Sequence, residues 1–119
     1  MAFKRGDIVQ IFFDLPYTTS QKLHPAIIIS NEDVHNTDDV YIGVMLTSNG
    51  KEDMFSFIID DSMLTSTNNV NHSQARTHLV TYFMPKHIYS KKPMNTMKNN
   101  SVNRLVERIS ETSFSEDID

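Results

Sequence analysis

Residues 22–31, Lys22-Leu23-His24-Pro25-Ala26-Ile27-Ile28-Ile29-Ser30-Asn31, set a histidine and a proline directly before four consecutive apolar residues. A short apolar run that is continuous rather than alternating reads as a strand covered on both faces at the centre of a fold. Pro25 opens this strand and Asn31-Glu32-Asp33 closes it. The segment from Leu15 to His24 is polar, without apolar periodicity, and reads as a loop. His24 thus stands where a loop meets the central scaffold.

Working outward, Asp7-Ile8-Val9-Gln10-Ile11-Phe12-Phe13 is rich in β-branched and aromatic residues and begins after Gly6, so it predicts a strand that Asp14 and Pro16 end. After a polar stretch through Asp38 and Asp39, Val40 to Leu46 predicts a third strand that delivers Thr47, Ser48 and Asn49 at its end. Asn49-Gly50 is a turn signal, and Met54 to Ile59 follows as a strand that would form a hairpin with its predecessor. Further strands are expected near Asn71 to Gln74 and from His78 to Phe83. Val102, Leu105, Val106 and Ile109 fall at i, i+3, i+4 and i+7, the stripe of an amphipathic helix that Asn100 or Ser101 can cap. The outline is mainly β (α+β), a small barrel of five or six strands with a C-terminal helix. One domain is expected over residues 1–112, with an acidic, disordered tail at 113–119.

Composition agrees with that outline. A chain of 119 residues, 39% hydrophobic, supplies one core and not two. No run of about eighteen apolar residues is present, and the first residues do not resemble a signal peptide, so a soluble cytoplasmic protein is expected. The absence of cysteine excludes disulfides, thiolate zinc sites and cysteine nucleophiles. Charge is unevenly placed: residues 31–70 carry one cation and eight acids, residues 71–109 seven cations and one acid. The basic segment holds Arg76, Lys86, Lys91, Lys92, Lys98, Arg104 and Arg108. Either it offers an anionic ligand one favourable face, or it folds onto scattered solvated faces.

Four stretches together resemble the MazF/PemK family of toxin endoribonucleases from toxin–antitoxin systems. Lys4-Arg5-Gly6-Asp7-Ile8-Val9 is similar to the family's opening "RGDI" strand, and His24-Pro25-Ala26-Ile27-Ile28-Ile29-Ser30-Asn31 to its "RPALVVSN" strand. Val44-Met45-Leu46-Thr47-Ser48 resembles its "xPxTS" strand end, and Gln74-Ala75-Arg76-Thr77 its "QxRT". The likeness spans most of residues 4–110. It implies an SH3-like barrel of the MazF/CcdB/Kid type, a homodimer, and cleavage of single-stranded RNA without metal or cofactor to 2′,3′-cyclic phosphate and 5′-hydroxyl ends. It also implies neutralisation by a cognate antitoxin.

Such cleavage needs a base near the 2′-hydroxyl, an acid near the departing 5′-oxygen, and positive donors around the transition state. The resemblance puts His24 and Thr47 at the family's catalytic positions, with His24 replacing its arginine. Histidine transfers protons at neutral pH, whereas arginine is a fixed charge. Arg76 would then supply that charge, and His78, two residues on and on the same face of a strand, is the second candidate for proton transfer. Lys22, Gln21, Ser48, Asn49, Lys51 and Gln74 are the candidate RNA contacts, with Thr47 and Ser48 as neutral phosphate donors. Tyr17, Tyr41, Tyr82, Phe83 and Tyr89 are candidates either for base stacking or for packing. His72 and His78 lie six residues apart, with His35 and His87 distant, so no metal site is expected. The alternative function is a non-catalytic barrel of the same fold that binds nucleic acid or a protein, as gyrase-poisoning CcdB toxins do. Their tryptophan-containing terminal helix has no counterpart in a chain without tryptophan.

Overall fold

Continuous apolar runs along successive segments produce one sheet with two buried faces. The computed structural model describes residues 3–14, 21–66 and 74–116, the side chains of residues 13, 14 and 21 excepted. Residues 15–20, with Tyr17, the expected strand residues 71–73, with His72, and residues 117–119 of the expected tail lie outside this description.

The elements are β1 (Asp7–Asp14), β2 (Gln21–Ile28), α1 (Glu32–Asp38), β3 (Tyr41–Thr47), β4 (Ser56–Ile58), β5 (Gln74–Phe83), β6 (Asn95–Thr96) and α2 (Asn99–Ser113). The strands pair antiparallel in the order β4-β5-β3-β2-β1-β6. The two ends of this order are stitched together by an isolated bridge between Leu64 and Met97. Thr65 N–H donates to the Thr96 carbonyl at 2.9 Å and Lys98 N–H to that of Met63 at 2.8 Å. A curled, largely closed barrel results, as the sequence predicts, and such closure protects strand edges.

Ile8, Ile27, Val44, Leu46 and Ala75 project from one face of the sheet and pack with Val102, Leu105 and Ile109 of α2. Val9, Ala26, Ile28, Met45 and Phe83 project from the other, with Phe3 and Tyr41. The continuous run Ala26 to Ile28 is fully buried because alternate residues enter different cores.

Several expectations are corrected. β2 begins at Gln21 rather than at Pro25, because residues 21–27 pair with β1. β3 pairs only with Ala26, Ile27 and Ile28, so a proline just before them removes no ladder bond to β3. Residues 32–38, read as a polar connection, form α1; Asn31 Oδ1 caps it by accepting from Val34 N–H, and Asp39 ends it with φ 54°. β4 is short and pairs with β5, not with β3, so the expected hairpin is absent. α2 begins at Asn99 with Lys98 as its N-cap, ahead of both proposed caps, and Lys98 makes no side-chain cap bond. Its stripe is Val102, Leu105 and Ile109, while Val106 stays 37% exposed.

One buried polar group makes a prediction. His35 of α1 is 4% exposed, its Nε2 is 3.2 Å from Ser30 Oγ, and its ring meets Tyr41 edge to face. Burial lowers its pKa below the ordinary 6.5, against the opposing pull of Glu32 and Asp39. The unfolded chain therefore binds the proton more readily, so stability falls as pH drops below about 6.5 and the loss is complete below the folded-state pKa. Urea midpoints at pH 7.5 and pH 5 should show this fall, and His35→Phe should flatten it.

Candidate functional site

The groove forms where β3 and β5 lose register. Val44 faces Val80 and Leu46 faces Ala75, so Met45 alone stands opposite residues 76–79 of β5. A bulge of this kind frees side chains from the ladder and re-aims them. Arg76 and His78 lie on the freed stretch. Next to it β2 runs past the end of its pairing with β3 and carries His24, while β3 ends at Thr47.

These side chains line one open groove of about 590 Å³, floored by Met45 and Leu46 and walled by Asn49, Lys51 and Asp53 of the β3–β4 connection. All four expected catalytic residues, His24, Thr47, Arg76 and His78, line it, although they come from three strands. Of the expected RNA contacts, Asn49, Lys51 and Gln74 line it too. Lys22 and Ser48 are exposed and are not part of its lining. Gln21 has no described side chain.

Gln74 is 1% exposed and acts as a strut. Its Nε2 donates to the carbonyls of Asn49 (2.6 Å) and Lys51 (2.9 Å), and its Oε1 accepts from Arg76 Nη1 at 2.9 Å. Thr47 Oγ1 accepts from Asn49 N–H at 3.1 Å. The connection is thereby tied to the sheet at its start and along its length.

Asp53, which no sequence signal singled out, pairs with Arg76 at 2.8 Å. Arg76, above all by its hydrogen bonds and then with the Phe55 amide, holds the Asp53 carboxyl down at a pKa of about 2. The ring of His78 lies 4.5 Å from that of Phe55. Burial first and the charge of Arg76 second lower the His78 pKa, against Asp53, so its imidazole is neutral at pH 7 and able to accept a proton.

The basic segment does not gather here. Of its seven cations only Arg76 lines the groove, joined by Lys51 from the acidic segment; Arg104 and Arg108 lie on α2. Among the aromatic candidates, Tyr41 and Phe83 are core residues, stacked with centroids 5.9 Å apart, while Tyr82 and Tyr89 are exposed.

The architecture is thus a curled antiparallel barrel with a C-terminal helix packed on it and a groove opening at a bulge between β3 and β5. The family model described as PemK-like, MazF-like toxin of type II toxin–antitoxin system matches residues 4–113, and the chain belongs to that family. Among solved structures it is similar to an endoribonuclease in complex with its cognate antitoxin from a mycobacterial species (TM-score 0.68, 13% identity, covering 93% of this chain and 94% of that one). It is similar also to MazE-MazF from Deinococcus radiodurans (TM-score 0.71, 10% identity, 93% and 95%) and to MazF from the same organism (TM-score 0.69, 11% identity, 93% and 96%). At such identities the likeness is one of fold. No curated protein sequence matches the chain. None of its described helices is long and apolar enough to cross a membrane.

Proposed function

We propose that this toxin is an endoribonuclease that cuts single-stranded RNA without a metal ion. The observation that carries the reading is the convergence of two histidines, an arginine and a threonine on one groove open to solvent. His24 and His78 sit on β2 and β5, either side of β3, and both line the groove, so a nucleotide linkage lying across β3 can meet both. His78, neutral at pH 7, takes the proton of the ribose 2′-hydroxyl as that oxygen bonds to phosphorus. The bond from phosphorus to the 5′-oxygen breaks, and His24 delivers a proton to that oxygen. Arg76 and Thr47 donate to the non-bridging oxygens as charge accumulates. The products are a 2′,3′-cyclic phosphate and a 5′-hydroxyl.

The solved relative in complex with its cognate antitoxin supports an antitoxin as the partner. Tyr82 of β5, 70% exposed, supports a second copy of the chain against that strand. Equilibrium sedimentation should give twice the monomer mass, and Tyr82→Glu should return the monomer.

The test of the activity is incubation of the purified protein with a long single-stranded RNA in EDTA, with the cut ends mapped. Discrete cuts bearing 5′-hydroxyl ends, lost in His24→Ala and in Arg76→Ala, are expected. Intact RNA, or cutting that both substitutions leave unchanged, would leave a barrel that binds rather than cleaves.

A further inference from the structure

The guanidinium assigned to the phosphate is already occupied. Arg76 Nη1 donates to Asp53 Oδ1 at 3.0 Å and Nη2 to Oδ2 at 2.8 Å, a two-pronged pair. The same Nη1 reaches Ser56 Oγ at 3.1 Å. An arginine fork accepts two carboxylate oxygens or two phosphate oxygens with similar geometry, so the two anions compete for one seat.

The partners are unequally fixed. The Arg76 side chain is 17% exposed and is held by Gln74 and Ser56, whereas that of Asp53 is 51% exposed and belongs to the connection between β3 and β4. Its remaining side-chain contact is the Phe55 amide, which donates to Oδ1 at 2.9 Å. The arginine is thus built in and the carboxylate is the exchangeable half of the pair.

We propose that Asp53 is an internal stand-in for the substrate phosphate: it fills the anion seat on Arg76 in the free protein and yields it to RNA. The inference rests on the RNA-cleaving reading given above. Every binding event then exchanges one anion for another on Arg76. Affinity is set below what the cations of the groove would give alone, and nucleic acid that cannot place a phosphate on Arg76 does not displace the carboxylate.

Asp53→Asn tests this, because the amide retains the shape and an oxygen for the Phe55 amide while losing the charge; Asp53→Glu keeps the charge. Inorganic phosphate is titrated with the Arg76 side-chain signals followed by NMR, and a 2′-O-methyl single-stranded oligonucleotide, which cannot be cut, is titrated at several salt concentrations. Asp53→Asn should bind both about tenfold more tightly. Its logarithmic salt slope for the oligonucleotide should steepen by about 0.7, the value for one more phosphate neutralised on a single strand. Asp53→Glu should stay near wild type. Equal or weaker phosphate binding by Asp53→Asn would overturn the proposal and make Asp53 a residue that only holds Arg76 in position. Tighter phosphate binding with no oligonucleotide binding by either protein would keep the seat and discard the RNA reading. Thermal melts accompany each titration, and Asp53→Ser takes the place of the asparagine variant should the latter melt early.

Discussion

His78→Ala is expected to slow single-turnover RNA cleavage by about 10²- to 10⁴-fold, the range that a positioned proton acceptor contributes. The loss should fall on the chemical step and leave binding of an uncleavable oligonucleotide nearly unchanged, because a neutral imidazole adds little to phosphate attraction. The wild-type rate should also carry an acid limb. Burial and Arg76 lower the His78 pKa below the ordinary 6.5, so this acid limb lies below that pH. In Asp53→Asn the carboxylate that raises the His78 pKa is gone, and the limb should move to still lower pH. An alanine variant that cuts at the wild-type rate, or one that keeps the same acid limb, would remove His78 from the chemistry.

Gly6→Ala is the second large effect, on stability. Gly6 has φ +96°, and a Cβ added there would meet the Met97 carbonyl oxygen at 2.6 Å, a backbone atom that cannot turn aside. The close approach is functional in the fold: Gly6 N–H donates to the Ile28 carbonyl at 2.7 Å, and Met97 N–H donates to the Gly6 carbonyl at 2.8 Å. This glycine therefore joins β2 to the strand that closes the barrel. The strained backbone and the displaced Met97 together should cost about 3 kcal/mol or more. A urea titration should show it as a lower midpoint with the slope retained. Gly50→Ala is the control, since nothing lies within 4 Å of a Cβ there.

The helix was legible in the spacing of Val102, Leu105 and Ile109, and the first strand in the β-branched and aromatic residues of Asp7 to Phe13, since what buries them is written in their own residues. The pairing of β4 was not. Met54 to Ile59 carries a strand composition, but nothing local says that Ser56 faces Arg76 rather than β3. α1 escaped because only His35 of its seven residues is buried, which leaves no apolar stripe to read. Its signal was the Asn31 cap followed by Glu32 and Asp33 in the first turn.

The site divides in the same way. His24, Thr47 and Arg76 were reachable through motif resemblance, and His78 through the two-residue period of a strand. Asp53 was not reachable, because its significance is a contact across 23 residues of chain made by a loop whose path the sequence does not dictate. Lys22 and Ser48 were chosen for closeness in sequence to His24 and Thr47. Ser48 follows Thr47 directly and turns to the other side, whereas Lys22 keeps the side of His24 but lies one pleat farther along β2, past the end of the groove lining.

The bulge between β3 and β5 bears on how such a toxin can change over generations. On their β3 side residues 76–79 answer to Met45 alone, and so Arg76 and His78 are less bound by the cross-strand fit that fixes most of the barrel. His24 has a similar licence beyond the last β3 pairing of β2. Under the proposed reaction, mutations at these places would alter proton transfer and anion recognition while the scaffold keeps its register. A lineage can therefore exchange an arginine for a histidine, and try a new preference for its target, without first having to rebuild the fold.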